Sequence, residues 1–322
     1  MCSPAWGCSA GRAMYESREA GGQRANSNTS SAFISIVGRP NVGKSTLLNA
    51  LVGEHVAIVS QKPQTTRNRI TGILTREERQ FVFIDTPGMH TPRTRLGEYM
   101  AGEINQGMAD VDAALLVSEP LGEIHPMEAL LLERLSVRGT PIVLIVNKID
   151  SLPRKDAMME KIEAFSALAT LAEVVPISAK NGDGIDLLLA QLDRFCKPGP
   201  HYFEPDAYTE QPERVIVAEL FREALLRYLQ DEIPHGTAVV IEKMREREQG
   251  DIVDIDAIIY CEKDTHKGII VGKGGAAIKN TASTARRSIE RFLGGKINLQ
   301  CWVKVRKDWR NRPGALRELG FN

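Results

Sequence analysis

A chain of 322 residues is longer than one hydrophobic core usually fills, so two domains are the natural expectation, and 43% hydrophobic with 25% charged residues is an ordinary globular composition. Lys plus Arg and Asp plus Glu both total 41, which excludes overall charge as a guide to the partner. No apolar run approaches the roughly 20 residues that cross a bilayer, and five scattered cysteines without a Cys-x-x-Cys pair exclude a zinc or dithiol motif and fit a reducing cytoplasm.

Residues 1–30 carry Gly, Ser, Ala and Arg without periodicity and are expected to be a disordered leader. Met14 within it makes a later translation start an alternative, and Glu16 and Glu19 argue against an organelle presequence. From residue 33, short β-rich runs at 33–37, 80–84, 113–117, 142–147 and 174–177 alternate with helical patterns at 44–51, 126–136 and 157–169. The alternation predicts a doubly wound, mostly parallel α/β sheet over 31–197, with ligands at the carboxyl ends of its strands. A helical pattern at 185–195 is followed by Pro198, Pro200, Pro205 and Pro212, so 198–212 reads as a linker. Beyond it, a helix (214–230), two strands (238–247, 252–261), a glycine loop, a helix (276–292) and a strand (297–305) predict a smaller α+β domain over 213–322. Between residues 265 and 317 stand 13 Lys or Arg against only Glu290 and Asp308, so this end is built for an anion.

Gly38-Arg39-Pro40-Asn41-Val42-Gly43-Lys44-Ser45 matches the phosphate-binding loop G-x-x-x-x-G-K-[ST] and lies between a predicted strand and helix. Its glycines let successive backbone N–H groups face phosphate oxygens, Lys44 supplies a cation for the β- and γ-phosphates, and Ser45, followed by Thr46, is placed to ligate Mg²⁺. Asp85-Thr86-Pro87-Gly88 ends the next strong strand; its carboxylate can hold Mg²⁺ through water, and the Gly88 N–H can sense the γ-phosphate. Asn147-Lys148-Ile149-Asp150 decides the base. A carboxylate accepts from guanine N1–H and its 2-amino group together, a donor pair that adenine lacks. Asn147 would tie this loop to the phosphate loop, the stem of Lys148 would cover a ring face, and Ser178-Ala179-Lys180 would give the guanine carbonyl a backbone N–H. These four elements in order point to a guanine-nucleotide-hydrolysing enzyme, with Lys44, Thr66 and Gly88 as the groups at the reacting phosphate.

Thr66 belongs to the polar segment 61–69, where a switch loop is expected; it is preferred over Thr65 as the threonine that reaches Mg²⁺ only when the γ-phosphate is bound. Met89 follows Gly88 at the position where Ras-like enzymes carry a water-orienting glutamine, so slow intrinsic hydrolysis is expected. Asn41 stands where potassium-activated enzymes of this class ligate K⁺, which makes K⁺ a candidate activator.

Residues 38–49, 63–69 and 85–88 together resemble the Era family of bacterial ribosome-assembly GTPases, a resemblance that runs from residue 33 nearly to the last residue. It implies a cytoplasmic, monomeric protein that binds GTP and GDP with Mg²⁺ and assists small-subunit assembly.

Gly272-Lys273-Gly274-Gly275 forms a G-x-x-G loop before an amphipathic helix, as in K-homology (KH) domains, where two glycines bring backbone against backbone to clamp about four nucleotides. Lys273, Lys279, Arg286 and Arg287 add charge for RNA. Trp302 alternates with charged residues on a strand and is assigned to the core; Trp309, beyond the strand, is the better base-stacking platform. The element order resembles the type II KH arrangement, and the family resemblance implies small-subunit ribosomal RNA in the 30S subunit as the partner. The basic helix leaves peripheral contact with the inner membrane face open. One rival reading, a GTPase coupled to an RNA or tRNA modification step, lacks a second catalytic cluster. The other, an RNA binder with a vestigial pocket, conflicts with the intact Lys44, Ser45, Asp85 and Asp150.

Overall fold

The computed structural model describes residues 29–60, 62, 64–248 and 252–321; apart from Thr29 and Ser30, the expected leader lies outside the described residues, as do Gln61 and Pro63 of the expected switch segment. The chain divides into two compact units. One holds the residues up to Glu54 with Asn68–His90 and Ala101–Glu210; the other holds His55–Arg67, Thr91–Met100 and the residues from Gln211 onward.

The first unit is built on strands β1 (Ser30–Val37), β2 (Ile70–Arg76), β3 (Arg79–Asp85), β4 (Ala113–Ser118), β5 (Ile142–Val146) and β6 (Glu173–Pro176), in the order β2-β3-β1-β4-β5-β6. Every pair on that path is parallel except β2 with β3. β4 and β5 are buried along their whole length, which is why they read as unbroken apolar runs. β2 is absent from the sequence expectation: Thr71, Gly72 and Thr75 interrupt its apolar pattern, and it exists as the antiparallel partner of β3 across a tight turn at Glu77, whose φ is 51°. Helix α1 (Lys44–Val52) starts directly after the phosphate loop, and α2 (Arg95–Gly107), α3 (Pro126–Val137), α4 (Met159–Leu168) and α5 (Ile185–Leu192) follow.

The proline-rich stretch expected as a linker is laid along this sheet. A short β7 (Lys197–Pro198) pairs with the start of β1, the Tyr202 and Phe203 N–H groups donate to Gln80 Oε1 at 2.7 and 3.0 Å, and Ile73 N–H donates to the Tyr208 carbonyl at 2.9 Å. Proline cannot enter the interior of a sheet, yet the intervening residues can satisfy the polar edge of β2.

In the second unit, helix α6 (Glu213–Tyr228) precedes strands β8 (Ala238–Glu246) and β9 (Ile252–Cys261), helices α7 (Asp264–Val271) and α8 (Ala276–Leu293), strand β10 (Lys296–Val305) and the short α9 (Pro313–Glu318). The sheet order is β10-β9-β8, with β8 and β9 antiparallel and β9 and β10 parallel. Val217, Leu220, Phe221, Ala285 and Ile289 from α6 and α8 pack with Ile255, Ala257 and Ile259 of β9. α7 replaces part of the expected loop: Gly268 and the β-branched residues after it have weak helix propensity, and the buried Ile270 ties the helix to the core.

The two tryptophans exchange the places expected for them. Trp309 is fully buried among Leu96, Met100, Ala315 and Leu316, stacks on Phe321 with ring centroids 5.9 Å apart, and donates its indole N–H to the Gly236 carbonyl at 2.9 Å. It is a core residue and offers no face to a base. Trp302 is 46% exposed, because β10 turns its odd-numbered positions to the core and its even-numbered ones outward. Among the described residues, no helix is long and apolar enough to cross a membrane.

Candidate nucleotide site and nucleic-acid interface

The loops after β1, β3, β5 and β6 of the first unit all leave the carboxyl edge of the sheet, and they carry the four nucleotide motifs. Close backbone approach fixes two of their glycines. A β-carbon on Gly43, where φ is +100°, would fall 2.2 Å from Asn147 Nδ2; one on Gly88 would fall 2.8 Å from Pro40 Cα. Gly43 thus lets the base loop touch the phosphate loop, and Gly88 lets the loop after β3 touch it from the other side.

Hydrogen bonds join the motifs. Asn147 donates from Nδ2 to the Val42 carbonyl at 2.8 Å and accepts at Oδ1 from the Ala179 N–H at 3.0 Å, so one side chain connects three loops. Ser178 Oγ donates to Asp150 Oδ1 at 2.7 Å, which orients an otherwise exposed carboxylate. Lys148, held at φ 68°, donates from Nζ to the Asn41 carbonyl at 2.7 Å. Thr86 Oγ donates to the Ile36 carbonyl at 2.9 Å, and Met89 N–H to that of Gly38 at 3.2 Å. Lys180 is exposed.

Lys44 is buried and donates from Nζ to the Arg39 carbonyl at 3.0 Å. Burial lowers its pKa to about 8; the Asp85 carboxylate works in the opposite direction, and Arg39 adds to the lowering. Ser45 Oγ donates to Asp85 Oδ2 at 2.7 Å, which puts two hard oxygens together beside this ammonium group, a donor pair suited to a small divalent cation that keeps water and phosphate as its other ligands. Among the described residues, no group of three or more His, Cys, Asp and Glu could hold a metal ion alone. The Met89 side chain is buried with Leu116, Leu131 and Val146 and carries no hydrogen-bond donor.

Arg39 is committed elsewhere: its guanidinium pairs with Glu119, and its Nε lies 3.4 Å from Oε1 of the fully buried Glu128, which also accepts from Ser118 Oγ at 2.8 Å and faces Lys161 Nζ at 3.4 Å. Neither Glu119 nor Glu128 figures in the sequence-based site. An acid directly after the apolar strand β4, at the same edge as Asp85 at the end of β3, is the signal that marks Glu119.

Thr66 falls in His55–Arg67, the segment packed in the second unit, where its side chain is buried. Its neighbour Arg67 is almost fully buried and donates to the carbonyls of Thr237, His235 and Pro234 at 2.7, 3.0 and 3.2 Å, with its guanidinium 5.8 Å from the Trp309 ring centre. Burial pulls the Arg67 pKa down to about 9, with Arg222 adding to the effect. Arg222 in turn donates to the Thr65 carbonyl and pairs with Glu219. A basic loop residue in the sequence is therefore an anchor whose partners are backbone oxygens.

The G-x-x-G loop joins α7 to α8. Gly272, Gly274 and Gly275 all have positive φ, and a β-carbon on Gly272 would lie 2.6 Å from that of Ala277. Lys273, Lys279, Arg286 and Arg287 are exposed, and the last three lie at helical spacing along one face of α8; Arg286 pairs with Glu290 at 3.1 Å. Trp309 is not part of this surface.

Residues 33–148 match the family model of a 50S ribosome-binding GTPase, and residues 232–310 match that of the KH domain. GTPase Era of Clostridioides difficile (strain 630) is 49% identical over 292 residues, covering 91% of this chain and 98% of the relative. GTPase Era of Alkaliphilus metalliredigens is 47% identical over 291 residues, covering 90% and 98%. Among solved structures, a point variant of Aquifex aeolicus Era bound to GDP and AlF4⁻ superposes with a TM-score of 0.88 at 32% identity, and Era in complex with MgGDPNP and nucleotides 1506–1542 of 16S ribosomal RNA with 0.86 at 32%; each comparison covers 91% of this chain and 99% of the other.

Proposed function

This chain belongs to the Era family of GTPases, and from that premise we propose that it is a GTP-hydrolysing switch that binds small-subunit ribosomal RNA and assists assembly and maturation of the 30S subunit in the cytoplasm. The observation that carries the reading is the likeness, across 91% of the chain and both units, to an Era bound at once to MgGDPNP and 16S ribosomal RNA. The family model whose description names the 50S subunit spans only residues 33–148, which hold the phosphate loop, Asp85–Gly88 and Asn147–Lys148 and not the G-x-x-G loop.

In this reading Asp150, oriented by Ser178, accepts from guanine N1–H and the 2-amino group, and the Ala179 N–H serves the guanine carbonyl. The phosphate loop and Lys44 hold the β- and γ-phosphates. Ser45 and Asp85 would hold Mg²⁺, which when bound neutralises charge on the phosphate oxygens. Thr66 joins them in the GTP state, and the Gly88 N–H reports the γ-phosphate. With Met89 where a water-orienting side chain would stand, turnover is slow, and K⁺ at Asn41 is the activator; equal turnover in K⁺ and Na⁺ at matched ionic strength would remove that role.

Gly272–Gly275 clamp the RNA backbone while Lys279, Arg286 and Arg287 neutralise its phosphates. Linkage requires that an RNA preferring the GTP form be preferred by it in return. Titration of the full chain with a labelled RNA from the 16S 3′ end should give binding on the order of tenfold tighter with a GTP analogue than with GDP. Equal affinity in both nucleotide states, or for a 23S fragment of the same length, sinks the reading.

A further inference from the structure

Glu119 directly follows β4 at the carboxyl edge of the first unit's sheet and makes contacts to two of the nucleotide loops. Its oxygens are divided between them: Oε1 accepts from Lys148 Nζ at 2.5 Å, and Oε2 accepts from the Arg39 guanidinium. We propose that Glu119 is a positioning residue for nucleotide binding, its one carboxylate fixing the phosphate-loop cation Arg39 and the base-loop cation Lys148 in a single geometry. The inference rests on the guanine-nucleotide reading of this pocket.

Three cations, Arg39, Lys44 and Lys148, belong to the two loops that meet here, and like charges drive such loops apart unless an anion is built in. Glu119 is the anion that meets two of them at once, Arg39 and Lys148, while Glu128 Oε1 lies 3.4 Å from Arg39 Nε. Burial alone would raise the Glu119 pKa, but the hydrogen bond and charge of Lys148 and the charge of Arg39 outweigh it and hold the carboxyl below its ordinary range, so it is ionised at neutral pH. The side chains of Glu119, Arg39 and Lys148 are 31%, 29% and 38% exposed, so water screens the contacts only in part. Lys148 also has a left-handed backbone, which a residue with a side chain keeps only where its surroundings fix it. Its ammonium is fixed twice, by Glu119 and by the Asn41 carbonyl, and that leaves the aliphatic stem in one pose for a base to lie against.

The test is release of fluorescent GDP and GTP from the full chain, measured by stopped flow. Glu119→Gln keeps the shape and removes the charge, and it should speed release of both nucleotides by the same factor, about three- to tenfold, with kcat at saturating GTP within about twofold of wild type. Repeated in a Lys148→Met background, the same change should add less than about twofold, because the partner is gone. Wild-type release rates from Glu119→Gln, or an equal factor in both backgrounds, overturn the assignment; the second result would mark an effect that does not pass through Lys148. Asp150→Asn is measured in parallel. If it abolishes the preference for guanine while Glu119→Gln is silent, Glu119 alone is misassigned; if the preference survives, the pocket reading fails and the role of Glu119 with it.

Discussion

The two ligand-binding regions solve opposite problems. In the nucleotide pocket, most of the singled-out side chains already have protein partners: Asn147 ties three loops together, Ser178 aims Asp150, Ser45 meets Asp85, and Lys44 rests on the Arg39 carbonyl. In the KH region, Lys273, Lys279 and Arg287 stand exposed on a glycine loop and one helix. A small, rigid ligand with a fixed pattern of donors is selected by groups whose positions are set before it arrives, since ordering them at that moment would cost affinity. A long polyanion has no such pattern over most of its length. It is held by exposed charges on the glycine loop and one helix, and the clamp comes from backbone.

The contrast can be broken most severely at Trp309, which sits in the nucleic-acid-binding unit yet behaves as core. Trp309→Ala should cost about 3–5 kcal/mol of stability, as large-to-small changes at buried aromatic sites do, seen as a lower melting temperature. Among molecules that remain folded, RNA affinity should be unchanged. Normal stability with lost RNA binding would put Trp309 back on the interface. Next in size is Lys44→Ala. Removing a charge-assisted contact to phosphate should weaken GTP and GDP by roughly a hundredfold and abolish turnover, while leaving the melting temperature of the nucleotide-free protein close to wild type or higher, since a buried ammonium is removed. Undiminished turnover in this variant would mean that the phosphate loop does not carry the reaction.

The same contrast explains what could be read in advance. The nucleotide motifs are contiguous, each placed between a strand and a helix, so residue type and position together specify Lys44, Asp85, Asn147 and Asp150 without knowledge of the rest of the chain. The alternating runs also predict five of the parallel strands, as well as the β8–β9 hairpin. What escaped depends on partners far away in sequence. Trp309 is buried by Leu96 and Met100, far earlier in the chain, and by Ala315 and Leu316 close to it in sequence. Arg67 looks like a surface cation until the carbonyls of Pro234, His235 and Thr237 are seen around it. α7 is a helix whose own propensity is poor, made by tertiary packing of Ile270. Glu119 is different in kind: an acid at or just after the end of an apolar strand is the rule that identifies Asp85, and it applies equally one strand along.

Proton linkage sharpens the pocket's side of the comparison. Burial holds Lys44 at about 8 in the nucleotide-free protein, well below 10.5, whereas phosphate favours the ammonium form. Nucleotide affinity should therefore be level below pH 8 and fall above it, by up to about tenfold per pH unit, with one proton taken up on binding. Without nucleotide the sign reverses: the unfolded chain binds the extra proton between pH 8 and 10.5, so the contribution of Lys44 to stability rises through that window. Calorimetry in buffers of different ionisation enthalpy measures the uptake, and a flat affinity from pH 7 to 9 would show that Lys44 does not meet the phosphates.

The smallest effect belongs to the open region, and it tests whether that surface works by number of charges rather than by fixed geometry. If Lys273 and Lys279 each neutralise one phosphate, replacing either with Ala should weaken RNA binding only a few-fold and flatten the dependence of log affinity on log salt by about 0.7, the value for single strands. The two losses should add, because an exposed side chain on the glycine loop and another on α8 have no shared network to break. A salt titration of the single and double variants with an RNA of the 16S 3′ end decides it. Strong non-additivity, of the kind expected at Asn147, would mean that the KH surface is organised like the pocket, and the contrast between the two regions would fail.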